Sequence, residues 1–201
     1  MFDNAICPLL DNYHGRLTLH GSAVAVGGHA VAFVGLSRRG KTTLAAAMAK
    51  SGYPFLCEDV LRVRRDGPAY VAQPSRPVMR LSGDSLCWLS GEQDDGGGKR
   101  DVPAGDGLPH VSGALPLSRI YILGDGAATS VECACLQPAK ALAALLQHAF
   151  VLDSEDKEQM RAHFSRLSDL ASAVPCRALD YPRRFNMLPL VVQQVAGEPE
   201  G

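Results

Sequence analysis

The chain has 201 residues, enough for one well-filled core, and its 46% hydrophobic and 20% charged residues are the proportions of a globular protein in water. A formal net charge of −1, and no apolar run near the ~20 residues that span a bilayer, argue against a field-driven nucleic-acid binder and against a helical membrane protein. Met1-Phe2-Asp3-Asn4 lacks the basic-then-apolar layout of a signal peptide, so a cytoplasmic location is the expectation, with no nucleic-acid or membrane partner.

In chain order, Leu17 to Val26 reads as a strand, Gly27-Gly28 as a hairpin turn and His29 to Val34 as a second, apolar and β-branched strand. That strand runs into Gly35-Leu36-Ser37-Arg38-Arg39-Gly40-Lys41-Thr42, which fits G-x-x-x-x-G-K-[ST], the Walker A pattern. Strong helix formers, Thr43 to Lys50, follow, and Ser51-Gly52 ends the helix. Strand, glycine loop and helix together predict a phosphate site: loop N–H groups point inward and the positive end of the helix faces the phosphate oxygens. Gly35, Ser37, Arg38, Arg39, Gly40, Lys41, Thr42 and Thr43 are the expected nucleotide contacts. Lys41 would neutralise the β- and γ-phosphates, and the Thr42 hydroxyl would sit on a magnesium ion.

Phe55-Leu56-Cys57 is a short apolar strand ending in Glu58-Asp59, and the chain continues extended to Val63. Acids at the C-terminal end of a strand beside a phosphate loop are where a magnesium ligand and a catalytic base belong, but spacing does not decide which acid does which. Asp66-Gly67 is a turn, Ala69 to Ala72 a return strand, Val78 to Leu81 a strand, and Asp84 to Leu89 a helix of one or two turns. Glu92 to Gly107, with Asp94-Asp95-Gly96-Gly97-Gly98, holds too little apolar content to anchor itself and reads as a flexible loop. As a lid it would carry Lys99 or Arg100 over the nucleotide.

Leu117 to Leu123 and Ser130 to Leu136 are strands, Pro138 to His148 a helix, and Ser154-Glu155-Asp156 caps a helix running to Ala173. Cys176 to Tyr181 is a last strand, Phe185 to Val195 a terminal helix, and residues 197–201 a frayed tail. The six cysteines read as small buried hydrophobes rather than disulfides or zinc ligands, and His110, His148 and His163 as structural or exposed.

Leu19-His20-Gly21-Ser22, the glycine loop, and Gly52-Tyr53 leading to Glu58-Asp59 stand in an order that resembles the catalytic domain of HPr kinase/phosphorylase and its shorter relatives. There a His-Gly or His-Ala strand precedes the loop and an Asp-Asp pair follows it. The loop is also similar to that of ATP-dependent phosphoenolpyruvate carboxykinase. Arg80-Leu81, Lys99-Arg100 and Pro182-Arg183 are similar to short runs in HPr-kinase-like proteins of peptide-tailoring clusters, some of which phosphorylate a serine of lasso-peptide precursors. Two departures stand out: Arg38 where the family often has glycine, and Glu58 in place of the first aspartate.

The resemblance implies an α/β fold, a P-loop kinase domain of the HPr kinase and carboxykinase type, with a mixed sheet and hairpins over residues 1–201. It implies ATP and Mg2+ as cofactors, Glu58 as the base with His20 close to it, and Asp59 on the metal with Thr42. Arg80, Lys99 and Arg100 become lid or substrate contacts, and a homo-oligomer is a further expectation, since such kinases often form hexamers. The expected activity is transfer of the γ-phosphoryl group to a serine of a peptide, a ribosomal lasso precursor first. HPr or a small hydroxyl compound is the alternative acceptor, and an inactive nucleotide-binding module the alternative outside enzymes. The guanine-specifying Asn-Lys-x-Asp run is missing from the chain.

Overall fold

The computed structural model describes residue 11 and residues 16–91, 98–105, 107–150 and 156–198. Asp94 to Gly97 of the expected loop, Ser154 and Glu155 of the expected cap, Cys7, and 199–201 of the expected tail lie outside the described residues.

The elements are β1 (Leu17–Val26), β2 (His29–Val34), α1 (Lys41–Lys50), β3 (Phe55–Cys57), β4 (Val60–Asp66), β5 (Ala69–Gln73) and β6 (Val78–Leu81). Then come α2 (Gly83–Ser90), β7 (Arg100–Pro103), β8 (Leu115–Leu123), β9 (Glu132–Cys135), α3 (Pro138–Leu146), α4 (Lys157–Ala173), β10 (Cys176–Asp180) and α5 (Leu188–Gly197). The fold is α/β with a mixed sheet. Hairpins join β1 to β2 and β4 to β5, and β2, β8 and β10 run parallel. β1 and β8 each serve two neighbourhoods. Leu17 to His20 of β1 pair with β4, and Gly21 to Val26 with β2; Leu115 and Pro116 of β8 pair with β5, and later residues with β2 and β10. The path β2-β1-β4-β5-β8 therefore closes on itself.

β2 is apolar because both of its faces are buried. Ala30, Ala32 and Val34 enter a core shared with α3 and α4, while Val31 and Phe33 enter a second core with α1 and α5. Leu44 to Ala49 of α1 are all buried, and the four alanines among them let that helix lie close against the sheet. A helix buried on all sides needs no polar face, which is why this one shows no amphipathic stripe.

Two segments differ from the sequence reading. Arg100 to Pro103, expected in the flexible loop, form β7 and pair antiparallel with β6, Arg80 opposite Asp101. Val102 alone there packs on the core, so the strand depends on its partner rather than on its own pattern. Glu198, expected in the frayed tail, is instead held: it accepts from the Tyr121 hydroxyl at 2.7 Å and pairs with Arg177 at 3.0 Å. Those groups come from two other strands, β8 and β10, which local sequence cannot show. The helix expected from Ser154 opens at Lys157 with Asp156 as its cap, accepting from the N–H groups of Glu158 and Gln159. Of the cysteines, Cys57 and Cys176 are buried as expected, but Cys135 is exposed. No described helix is long and apolar enough to cross a membrane.

Candidate active site

Because β2, β8 and β10 are parallel, the loops after Val34, Leu123 and Asp180 leave the same edge of the sheet. β3 lies antiparallel to β1, as does β2, so Glu58 and Asp59 emerge at that edge as well. β1 runs the other way and brings His20 and Gly21 beside Val34. Ligands of open α/β sheets bind at this kind of carboxyl edge. Gly21 is required by space: a Cβ there would meet the Phe33 carbonyl oxygen at 2.9 Å and a Val34 methyl at 3.2 Å.

A cavity of about 450 Å³ opens at this edge. Its floor is the glycine loop and the first turn of α1, with His20 and Asp59 on one side and Ser82, Asp84 and Ser85 of the α2 entrance on another. Arg80 of β6 and Lys99, just before β7, also line it. Gly40 has φ of 83°, the left-handed conformation that turns the chain from the loop into α1.

Lys41 is buried and donates to the carbonyl oxygens of Gly35 at 2.7 Å and Leu36 at 2.8 Å, which leaves one ammonium proton for the cavity. Burial lowers its pKa to about 8; Asp59 opposes that shift, Lys99 adds to it and Glu58 opposes it. The Thr42 hydroxyl donates to Glu58 Oε1 at 2.8 Å. Burial raises the pKa of Glu58, the Thr42 bond and the Arg80 backbone N–H work against that rise, and Asp59 adds to it.

His20 Nδ1 lies 3.0 Å from the Asp59 carbonyl oxygen and 3.2 Å from Asp59 Oδ1. Both are acceptors, so Nδ1 carries the proton and Nε2 of the neutral ring is left as the basic nitrogen. Asp59 holds φ of 67°, a left-handed conformation for a residue that is not glycine, and that turn gives His20 both of its oxygens. The resemblance implied His20 near Glu58; in the structure its partner is Asp59.

Arg38 also sits at a left-handed φ, 65°, a conformation that glycine adopts without the strain a Cβ brings. Two variants separate its backbone from its side chain. Arg38→Gly and Arg38→Ala should weaken nucleotide binding alike, since both lose the guanidinium that lines the cavity. Arg38→Gly should nevertheless be about 1 kcal/mol more stable than Arg38→Ala in denaturant unfolding, because only the Cβ meets strain at that φ.

Of the expected nucleotide contacts, Ser37, Arg38, Gly40, Lys41, Thr42 and Thr43 line the cavity. Gly35 is buried and acts through its carbonyl. Arg39 is not brought there: it reaches away to the Asp125 carbonyl at 2.9 Å. Lys99 and Arg80 line the cavity and Arg100, exposed on β7, does not.

The sequence reading missed other neighbours. His148, taken as structural or exposed, is buried, and its carbonyl accepts the His20 N–H at 2.8 Å. Burial first, and then the Lys41 ammonium, hold its pKa below the usual histidine value. Ser82, Asp84 and Ser85 line the cavity too, and nothing in the local sequence singles them out.

As for a metal, Thr42 gives its one proton to Glu58 and so keeps its oxygen lone pairs free for a cation. A hydroxyl and a carboxylate are the hard oxygen donors that magnesium takes. Among the described residues no three His, Cys, Asp or Glu side chains gather as a metal cage, and in nucleotide sites magnesium is held by one or two carboxylates plus phosphate oxygens.

No protein-family model matches the chain, and no curated protein matches it. Among solved structures it is similar to the HPr(Ser) kinase/phosphatase from Coxiella burnetii, with 12% sequence identity, a TM-score of 0.45, and 90% of this chain and 88% of that one covered. A likeness of that size leaves the site to be argued from its own geometry.

Proposed function

We propose that the chain is an ATP-dependent kinase that moves the γ-phosphoryl group to an alcohol, with a serine of a peptide as the acceptor class. One observation carries the reading: a single cavity is lined by Lys41, by Thr42, whose hydroxyl reaches Glu58 behind that lining, and by the His20–Asp59 pair. Phosphoryl transfer asks for that combination of charge neutralisation, positioning and one group to orient the nucleophile.

The proposed roles of the two acids differ from those implied by the family resemblance: Glu58 serves the metal, Asp59 orients His20, and His20 is the base. Glu58 is fixed by donors from Thr42 and Arg80, which suits a carboxylate that holds magnesium or its waters. Bound magnesium would supply charge neutralisation at the phosphates. Asp59 fixes the tautomer of His20, as the acid of a nucleophile–histidine–acid triad does, and His20 Nε2 takes the proton of the acceptor hydroxyl. The serine Oγ–phosphorus bond forms, the bond from phosphorus to the β–γ bridging oxygen breaks, and ADP leaves with that electron pair.

Incubation with ATP, Mg2+ and three acceptor sets (ribosomal precursor peptides, HPr, and small hydroxyl compounds) tests the reading by mass spectrometry. A phosphoryl mass gain on a serine of a precursor peptide is the expected result. Gain on HPr or on a small compound would keep the kinase and change the acceptor. Tight ATP binding without transfer to any of them would favour a nucleotide-binding module.

A further inference from the structure

A second cavity, about 290 Å³, continues from the first, sharing Arg38, Gly40, Thr43 and the α2 entrance with it. It lies on the side away from His20 and Asp59, neither of which lines it. Its own walls come from the segment after β10: Tyr181, Arg183, Arg184, Phe185 and Leu188. Arg183 is committed to holding that wall. Its guanidinium lies 4.0 Å over the Tyr181 ring and donates to the Gly124 carbonyl at 2.8 Å.

Phe185 is stiffened from behind. Trp88 stacks on it with ring centres 5.8 Å apart and planes 16° from parallel, and the Lys50 ammonium lies 4.7 Å from the Trp88 ring centre. Phe185 lines the cavity while Trp88 does not, and Phe185 is half-buried. Arg184, next to it, is exposed. A fixed aromatic ring beside a free guanidinium is a surface for a flat π-system.

We infer that this second cavity is the nucleoside end of the nucleotide site, taking the base by stacking on Phe185 and Arg184, with the Asp84 carboxylate placed between the two cavities to accept from ribose hydroxyls. The inference rests on the phosphate-loop reading and gives the nucleotide a direction. Its terminal phosphate lies over Lys41 and Thr42 toward His20, its α-phosphate passes Thr43, and its base sits against the start of the terminal helix. Stacking serves every base, so this end requires a nucleoside without choosing strongly among them. The ligand class is a nucleoside triphosphate rather than an inorganic polyphosphate.

Calorimetric titration of the whole chain with ATP, GTP and inorganic tripolyphosphate, each with Mg2+, tests this. The wild type should bind ATP and GTP at least about tenfold more tightly than tripolyphosphate, the scale of one stacked base. Phe185→Ala and Arg184→Ala should reduce that advantage while leaving tripolyphosphate binding unchanged, and Lys41→Ala should weaken all three. Arg184 is exposed, so its variant decides the matter even if Phe185→Ala misfolds. Equal affinity of the wild type for ATP and tripolyphosphate, or an Arg184→Ala protein with the full wild-type preference for ATP, would overturn the subsite and leave the phosphate loop standing. Failure of the wild type to bind any of the three ligands would overturn both.

Discussion

His20→Gln is expected to slow phosphoryl transfer by about 10²–10⁴-fold, the usual scale for a lost general base, with nucleotide affinity close to wild type. The ring nitrogen that takes the proton disappears, while Lys41, Thr42 and the glycine loop are left in place. Asp59→Asn should produce a loss of similar size by another route. The neutral amide no longer stabilises the imidazolium that forms when Nε2 takes the proton, although the backbone carbonyl at 3.0 Å still accepts from Nδ1–H, and the backbone must still hold φ of 67°, which asparagine tolerates. Glu58→Gln should behave differently. If Glu58 serves the metal, the Mg2+ concentration for half-maximal rate rises and the rate recovers in part at saturating Mg2+. Single-turnover rates at saturating Mg2+ and ATP separate the cases. A Glu58→Gln protein that stays slow under those conditions, beside a His20→Gln protein of normal rate, would return the base to Glu58.

How far the sequence could reach follows from the range of the interactions involved. The β1–β2 hairpin, the loop and α1 were legible because each announces itself locally: Gly27-Gly28 with φ of 58° and 82°, a doubly buried apolar strand, then helix formers up to Gly52. β7 was not legible, since Arg100-Asp101-Val102-Pro103 is a strand only by pairing with β6. The pairing of His20 with Asp59 rather than Glu58 was hidden too. It depends on the β1–β4 register, His20 opposite Val60, and on the left-handed turn at Asp59. The second cavity is the hardest to foresee. Tyr181 and Phe185 come to Arg38 and Thr43 only because β10 joins the sheet beside β8, a non-local choice that no periodicity encodes.

The lysine of the loop should give the largest binding effect and a pH signature of its own. With its pKa lowered to about 8 from 10.5, Lys41 in the free protein loses its proton as the pH rises through 8. A triphosphate over the ammonium favours the charged form and raises that pKa again, so binding above pH 8 takes up a proton. Affinity for ATP should therefore be flat below pH 8 and weaken by up to about tenfold per pH unit above it. Stability moves the other way. Between about 8 and 10.5 the unfolded chain holds a proton that the folded one lacks, so the folded state gains stability with rising pH across that window and none from this group below it. Lys41→Met should weaken ATP by about 10²-fold or more at pH 7, the cost of removing one partner from a desolvated charge pair, and should abolish both pH trends. Titrations at pH 7, 8 and 9, paired with denaturant unfolding from pH 7.5 to 10, read the two effects independently. A Lys41→Met protein that kept wild-type affinity would remove the ammonium group from the phosphate site, whatever the loop spells.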